Sequence, residues 1–504
     1  MQIPNTITHE QLTNTHPDYA YLSEWFAFFR HAFEGTGGFA KTLNRYTRLQ
    51  DLTETADLTA YKEGLTTYLD PFVREDPSQF LRRTRSSTYV NLIKHKIVSP
   101  LVGRVTEQEP AREDYPPHIV EWIRSVTVEG KNLDMWIRTT GLPYAMVYGT
   151  LPVLIRTDYH TAETEAERQA MGAKVAQMVV IHPDTMLDWS HGGDNRIEWM
   201  KYIETIDYSD PIAGHMTIHR YHYILPEGWF YVDKEPDKNL AEYNVVAAGL
   251  WPLGFERAPI VEFKVRGGRG IVPDLAVLAV ESFNKRSELR HVERAQCFSI
   301  LTYPGDYDSN ALRVGATTCL TYPPESSGSP AWISPDPAPM EHLRTEVDNV
   351  EQTMLEIAGT ASIVGKSPVS ATTAEYQMET TSQMLATLAS DTSNFEKEAV
   401  KVAALWMQKP VDDDLDPSYP KQFSAIGTEK KIANYTAVMD MGSTPTQSKL
   451  LIGDAFNTVY EPDLTPEQKK EIEEELEANA TDFADTGTEV ADTPEGERVK
   501  TPGE

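Results

Sequence analysis

The sequence has little cysteine, few basic residues and no long apolar run. Two cysteines in 504 residues exclude a fold held together by disulfides and a cysteine-rich zinc site. Lys and Arg number 46 against 76 Asp and Glu, and the net charge of −30 at pH 7 excludes a simple basic nucleic-acid binder. No stretch reaches the ~18 apolar residues of a membrane span, and MQIPNTITHEQLTNTHPDYA lacks the pattern of a signal peptide. We expect an unanchored cytosolic protein.

The sequence also lacks the common catalytic signatures. It has no nucleophile elbow, no zinc-binding His-Glu pattern and no Gly-x-Gly-x-x-Gly after a strand. The segment GTASIVGKS comes nearest, because Gly365, Lys366 and Ser367 imitate the end of a phosphate-binding P-loop. A P-loop has four residues between its first glycine and the Gly-Lys pair, whereas Gly359 leaves five and Thr360 holds the required position. We therefore predict that the chain is not an enzyme, with a nucleotide-driven packaging ATPase using Lys366 as an alternative.

Two groups of possible metal ligands are weak. In the extended segment HMTIHRYHYI, His215 and His219 point to one face and His222 to the other, which favours an ordinary surface strand. The acidic run at 412–416 lacks the glycine and terminal glutamate of a calcium loop, so we interpret it as a solvated linker. We predict no metal and no cofactor.

The spacing of apolar and turn residues predicts an α+β fold. Residues 1 to about 130 show the three- and four-residue spacing of helices. The segments EWMKYIETIDYS, MTIHRYHYILPE and GWFYVDK then predict an antiparallel meander. After a Gly-rich break, residues 273–298 and 341–358 predict two long helices on either side of a Pro-rich stretch, and a helix of about 35 residues follows.

This order of elements resembles the portal protein, or head-to-tail connector, of tailed bacteriophages. The local sequences that carry the resemblance are GLPYAMVYGTLPVLI, VVIHPDTMLDW, ERAPIVEFKV and SPVSATTAEYQMETTSQMLATLASDTSNFEKEAV. The resemblance implies a portal-like subunit with a mixed α/β wing, a two-helix stem, a small clip insertion, a long wing helix and a helical crown. Its parts would be an N-terminal wing at 1–270, a first stem helix at 271–298, a clip at 299–340, a second stem helix at 341–358, a tunnel loop at 359–372, a long wing helix at 373–408, a C-terminal wing and crown at 409–476 and an acidic disordered tail at 477–504.

The family implies a ring, usually of twelve subunits, at one capsid vertex of the virion, assembled in the host cytoplasm and without a membrane. Double-stranded DNA would pass through its channel during packaging and ejection. The expected partners are other copies of the chain, the large terminase subunit, a head-to-tail adaptor, the major capsid protein and scaffold. A helical scaffold protein that forms no ring remains the second alternative.

The two predicted stem helices carry opposite charges. The acids expected to face the channel are Glu346, Asp348, Glu351 and Glu356. The basic residues expected to pair with the acidic helix of a neighbouring subunit are Lys285, Arg286, Arg290 and Arg294. The apolar seam Leu343, Val347, Val350, Met354 and Ile357, spaced four and three residues apart, is expected to complete this contact between subunits.

The connecting segments supply the remaining candidates. The predicted clip carries aromatic residues of the kind that dominate interfaces: Tyr303, Tyr307, Tyr322 and Trp332. We predict that they form the docking surface for the terminase motor and the head-to-tail adaptor. The predicted tunnel loop contains Ile363, Val364, Gly365, Lys366 and Ser367, and its glycines allow alternative backbone conformations next to moving DNA.

Overall fold

The computed structural model describes residues 3–36, 39, 89–107, 110–112, 114–157, 176–210, 214–252, 254–255, 257–296, 300–304, 319–322, 329, 331–334, 336–360, 371–409, 411–412, 415, 417–420 and 423. These residues all belong to the first of two compact units, Met1–Phe423. The second unit, Ser424–Glu504, lies outside the described residues, and so do the predicted crown helices and acidic tail within it.

The described part of residues 1–148 is mainly helical, and helices are predicted for residues 1 to about 130. Its elements are β1 (Thr6–Thr8), α1 (His9–Thr13), α2 (Tyr19–Glu34), a π-helical turn at Ile93–Val98 that continues into α3 (Ser99–Val105), α4 (Pro117–Ile123), α5 (Leu133–Trp136), a second π-helical turn at Ile137–Gly141 and α6 (Leu142–Tyr148). The segment PHIVEWIRSVTVEG has apolar residues at helical spacing up to Val128, but α4 ends at Ile123. The reason is that the amide of Val126 donates to the carbonyl of Lys131 at 2.8 Å and closes a turn.

Two antiparallel sheets follow the helices. Their strands are β2 (Thr150–Arg156), β3 (Gln177–Val180), β4 (Met186–His191), β5 (Ile197–Asp210), β6 (Gly214–Ile224), β7 (Gly228–Lys234), β8 (Glu242–Leu250) and β9 (Ile260–Lys264). The larger sheet has the order β1-β8-β7-β6-β5-β4, and the smaller has the order β3-β2-β9. The predicted meander is confirmed, because β5, β6 and β7 pair in sequence with antiparallel registers.

The three histidines of β6 do not form a site in this sheet. His222 is buried, stacks on Tyr202 and bonds through Nε2 to Oε2 of Glu204 at 2.9 Å, so the prediction of a surface strand is wrong at this residue. Burial lowers the pKa of His222, which favours the neutral ring. His215 and His219 lie on the opposite face of the strand. The described residues contain no cluster of three potential metal ligands.

The C-terminal part alternates long helices with a small sheet. Its elements are α7 (Val272–Gln296), β10 (Ile300–Pro304), β11 (Cys319–Tyr322), β12 (Ala331–Ile333), α8 (Ala338–Ile357) and α9 (Ala371–Trp406). Helix α9 lies against the small β3-β2-β9 sheet, where Phe395 stacks on Phe263 at 4.3 Å between ring centroids. Trp406 at its end donates its indole N–H to the carbonyl of Ile155 at 2.7 Å. The α+β class is confirmed.

Candidate functional site: the paired helices and the sheet at their ends

Helices α7 and α8 pack against each other in antiparallel orientation. Oγ of Ser282 donates to Oε1 of Glu351 at 3.3 Å near the middle of the pair, and Nη2 of Arg344 lies 3.4 Å from Oε1 of Glu293 nearer the Gln296 end. Residue numbers therefore rise along one helix as they fall along the other. Because β10 follows α7 and β12 precedes α8, the small sheet connects the two helices at the Gln296 and Ala338 end.

The ion pairs predicted between neighbouring subunits form within one chain at two positions. Nζ of Lys285 lies 3.0 Å from Oε2 of Glu346 and 3.0 Å from Oε1 of Glu281. The guanidinium of Arg286 donates from Nε to Oε1 of Glu351 at 2.7 Å and adds a second bond from Nη2. The inter-subunit assignment is therefore corrected for these pairs, because the complementary helix is the next long helix of the same chain.

The remaining predicted stem contacts divide into exposed and undescribed residues. Arg290 lies on the exposed part of α7, and the side chain of Arg294 lies outside the described residues. Of the four acids expected in the channel, Glu346 and Glu351 accept hydrogen bonds from side chains of α7. Asp348 and Glu356 are exposed, and Oε1 of Glu356 accepts a bond from Nε2 of Gln352 at 3.1 Å.

The apolar seam of α8 is also used within the chain. Val347, Val350 and Met354 are buried, while Leu343 is half-buried. The predicted seam is wrong at Ile357, which is 46% exposed, because Leu355 and Ala358 take the buried positions in the last turn. An apolar stripe on one helix therefore finds its partner inside the chain, and α8 does not need a neighbouring subunit to bury it.

The hydrogen bond between Lys285 and Glu346 shifts the pKa of each partner in the direction that favours its charged form. The bonds that Lys285 donates to Glu346 and Glu281 raise its pKa. The bond from Lys285 lowers the pKa of Glu346. Both side chains remain accessible to solvent, so water screens this pair and its contribution to stability is small.

A cluster of glycines fixes the start of α7 against the end of α6. Gly149 adopts a φ of +84°, and a Cβ there would lie 2.2 Å from the carbonyl oxygen of Gly268. The amide of Ile271 donates to the carbonyl of Met146 at 2.8 Å, just before α7 begins. The amide of Arg266 donates to Oδ2 of Asp391 on α9 at 2.8 Å, so the same loop also contacts the long helix.

Gly359, the first glycine of the P-loop-like segment, lies at the C-terminal end of α8. Gly359 adopts a φ of +63°, and its amide donates to the carbonyl of Glu356 at 3.0 Å. The amide of Thr360 donates to the carbonyl of Leu355 at 2.9 Å, which completes a Schellman motif. The hydroxyl of Thr381 on α9 donates to the carbonyl of Gly359. Gly359 therefore has a structural role as the residue that ends α8, and Ile363, Val364, Gly365, Lys366 and Ser367 lie outside the described residues.

The small sheet presents one of the four predicted anchors. Strand β10 pairs in parallel with β11 and in antiparallel with β12. Trp332 on β12 is 65% exposed, so it is not a buried core residue. Tyr303 and Tyr322 lie on β10 and β11, but their side chains are outside the described residues, as is all of Tyr307.

The helix pair, the small sheet and α9 together span Val272 to Trp406. Residues 272–407 match DUF4055, a domain of unknown function. DUF4055 is a phage-associated family. The DUF4055 segment begins with the first residue of α7 and ends one residue after α9, so the match coincides with the elements of the candidate site. A comparison with curated proteins gives no match.

The segment that matches DUF4055 depends on contacts with the rest of the chain. Glu396 on α9 is completely buried and binds Arg112, which lies outside the matched range. Sequence analysis missed this pair, because a charged residue in an otherwise apolar helical stripe gives no indication of its distant partner. Among the described helices, none is both long and apolar enough to cross a bilayer.

Proposed function

We propose that the chain is the subunit of a phage portal, a ring that admits double-stranded DNA at one capsid vertex. In this proposal α7 and α8 form the stem, the β10-β11-β12 sheet forms the clip and α9 is the long wing helix. The ring would serve as the docking platform for the large terminase subunit and the head-to-tail adaptor, and would sit in the virion among major capsid protein and scaffold.

The observation that carries the proposal is the connection between these elements. Two antiparallel helices are joined by a small sheet at one end, and the chain leaves the other end towards a 36-residue helix that lies in the core. The phage association of the matched family supports the same interpretation. The intrachain ion pairs of α7 and α8 are compatible with it, because they hold the two helices together and leave Asp348 and Glu356 exposed.

Acidic side chains suit a channel through which DNA must slide. Each phosphate that a protein neutralises adds to binding and to its salt dependence, so many contacts would hold the duplex in place. Helix α8 carries five Asp and Glu (Glu341, Glu346, Asp348, Glu351, Glu356) against Arg344 as its one described Lys or Arg. Exposed acids repel phosphates and keep the duplex mobile.

Electron microscopy and native mass measurement of the purified full chain test the proposal. We expect rings with a central hole and a mass of ~12 times that of the chain, the number that the portal resemblance implies, with no phosphate release from ATP. A monomer without ATP hydrolysis would contradict the proposal and favour the scaffold alternative. A monomer that releases phosphate from ATP would favour the nucleotide-driven alternative that uses Lys366.

A further inference from the structure

Helices α2 and α7 pack against each other and leave an open groove between them, with a volume of about 730 Å³. Both helices contribute to its apolar lining, which consists of Tyr21, Trp25, Phe28, Val277 and Val280. Tyr21 is 66% exposed, Val277 is 55% exposed and Trp25 is 39% exposed, so the groove is open to solvent. Tryptophan and tyrosine are the residues that most often dominate interfaces, which makes this groove a candidate binding surface.

The charged residues that line the groove are mainly acidic. Glu24 lines it from α2, and Glu281 and Glu288 line it from α7. Among the described lining residues, Lys285 is the one lysine or arginine. Its Nζ lies 3.0 Å from Oε1 of Glu281 and 3.0 Å from Oε2 of Glu346, so its charge is already compensated within the chain. Three carboxylates and one ammonium leave the lining with a net negative charge, which favours an occupant that carries positive charge.

The aromatic residues of the groove favour the same kind of occupant. Trp25 makes edge-on contacts with Tyr21 and Phe28, at 6.2 and 6.0 Å between ring centroids, so the aromatic wall is already formed. A lysine ammonium or an arginine guanidinium is attracted to the face of a tryptophan more strongly than to any other aromatic ring. The long aliphatic stems of lysine and arginine also cover apolar surface while their charged ends reach neighbouring carboxylates. Apolar and acidic lining residues together therefore suit lysine and arginine.

The form of the groove favours a helix as its occupant. Its α7 side runs from Val277 to Glu288, which is about 17 Å at 1.5 Å per residue and corresponds to three helical turns. A groove between two packed helices is the position that a third helix takes in a bundle. Apolar lining side chains offer no partner to backbone amides and carbonyls. A helix bonds these groups internally, whereas an extended peptide would leave them unsatisfied against this lining.

We propose that the α2-α7 groove binds a basic amphipathic helix of another protein. The helix would place apolar side chains spaced i, i+3, i+4 and i+7 against Trp25 and Val277, and lysine or arginine beside the acidic lining residues. A second copy of the chain is the less favourable occupant, because a net charge of −30 makes copies repel each other and the acidic lining adds to that repulsion. The groove lies within one chain, so the inference does not rest on the proposed ring.

The first test titrates the purified full chain into three labelled synthetic peptides of about four helical turns and measures fluorescence anisotropy. The first peptide has leucines spaced i, i+3, i+4 and i+7 and lysines on both sides of that stripe. The second has glutamate in place of each lysine, and the third has the composition of the first in an order without the stripe. The first peptide should bind roughly tenfold more tightly than either of the others. Equal binding of the first and third peptides would overturn the inference, because net charge alone would then explain the attraction.

The second test locates the binding with matched substitutions in the chain. Glu24→Lys reverses a charge in the groove, and Glu121→Lys makes the same change at an exposed position of α4 outside it. Glu24→Lys should weaken binding of the first peptide roughly tenfold, whereas Glu121→Lys should leave it nearly unchanged. Val277→Ser removes an exposed apolar side chain and should weaken binding without loss of the fold. Equal affinities of Glu24→Lys and Glu121→Lys chains for this peptide would overturn the inference.

Ring formation by the same variants distinguishes this inference from the proposed function. If the wild type binds the first peptide in the groove but forms no rings, the inference is supported and the proposed function fails. If the wild type forms rings but does not bind the peptide, the inference is overturned and the proposed function stands. Loss of rings in Glu24→Lys but not in Glu121→Lys, without peptide binding by the wild type, would identify a second copy as the occupant and would also overturn the inference.

Discussion

Glu396 shows how one buried residue connects distant parts of the chain. Its carboxylate accepts a bond from Nε of Arg112 at 2.6 Å and bonds from the hydroxyls of Tyr115 and Tyr419 at 3.0 and 2.7 Å. Asp134 binds the same guanidinium at 2.6 Å. Burial disfavours the charged form of Arg112, but the bonds that it donates to Glu396 and Asp134 outweigh burial and raise its pKa. The guanidinium is therefore permanently charged and compensates two carboxylates in the interior.

We predict that Arg112→Met lowers the free energy of unfolding by about 3–5 kcal/mol, because it leaves a buried carboxylate without its cation. Denaturation by urea measures this loss. Arg104→Met is the control, since Arg104 and Glu107 form an exposed pair at 3.1 Å and its removal should cost less than about 1 kcal/mol. Equal losses in the two variants would mean that the Glu396 network contributes no more than a surface pair.

The same network marks a limit of prediction from sequence at the residue scale. The run at 412–416 was expected to be a linker, but Leu415 and Tyr419 are buried in the main core, and Ser418 forms a β-bridge with Ala111. The Gly-rich break before α7 was predicted as a boundary between elements. Gly268 in this break packs closely against Gly149, which lies more than a hundred residues earlier in the chain. Local composition does not indicate which distant part of the backbone a glycine contacts.

At the scale of elements, periodicity predicted the helices well. The sequence of α9 carries an apolar stripe at helical spacing, of which Leu388, Phe395, Ala399, Val402 and Trp406 are buried and Met384 is half-buried. Apolar spacing gives the face of a helix that is buried but does not say which chain supplies the partner. For that reason the charges of α7 and α8 were correctly seen as complementary, while their pairing was assigned to a neighbouring subunit instead of to the same chain.

We predict that the coupling between Lys285 and Glu346 depends on pH at both ends of the range. The pKa of Glu346 is lowered from 4.5, so its contribution is present above 4.5 and is lost as pH falls through the folded value. The pKa of Lys285 is raised from 10.5, so its contribution is present below 10.5 and is lost as pH rises through the folded value. The coupling free energy between Lys285 and Glu346 should therefore be greatest between pH 4.5 and pH 10.5.

A double-mutant cycle with Lys285→Met and Glu346→Gln measures this coupling from unfolding free energies. It should be larger at about pH 7 than at about pH 3.5, and it should decrease with added salt because the pair is accessible to water. A matched cycle on Arg104 and Glu107 gives the value for an exposed pair at the end of α3. A coupling that stayed constant from pH 7 to pH 3.5 would contradict the assignment of this ion pair.

At the scale of the whole molecule, the charge of −30 limits how the proposed ring could hold DNA. An acidic ring lets a duplex slide, but it offers little resistance to slippage between steps of packaging. A small number of cations at a narrow place would supply transient phosphate contacts without clamping the duplex. Lys366, between Gly359 at the end of α8 and the start of α9, is the candidate that the sequence provides for this role.

We predict that Lys366→Ala leaves ring assembly intact and reduces DNA packaging or the retention of packaged DNA. The reason is that one lysine per subunit, repeated around a ring, contributes several weak phosphate contacts whose sum resists backward movement of the duplex. Lys409→Ala is the matched control, because Lys409 is an exposed lysine just beyond the end of α9. Packaged DNA should escape faster from Lys366→Ala particles than from Lys409→Ala particles, and the difference should shrink as salt concentration rises. If Lys366→Ala and Lys409→Ala particles package and retain equal amounts of DNA at every salt concentration, Lys366 does not contact the DNA. If the isolated wild-type protein hydrolyses ATP and Lys366→Ala does not, the nucleotide-driven alternative is favoured.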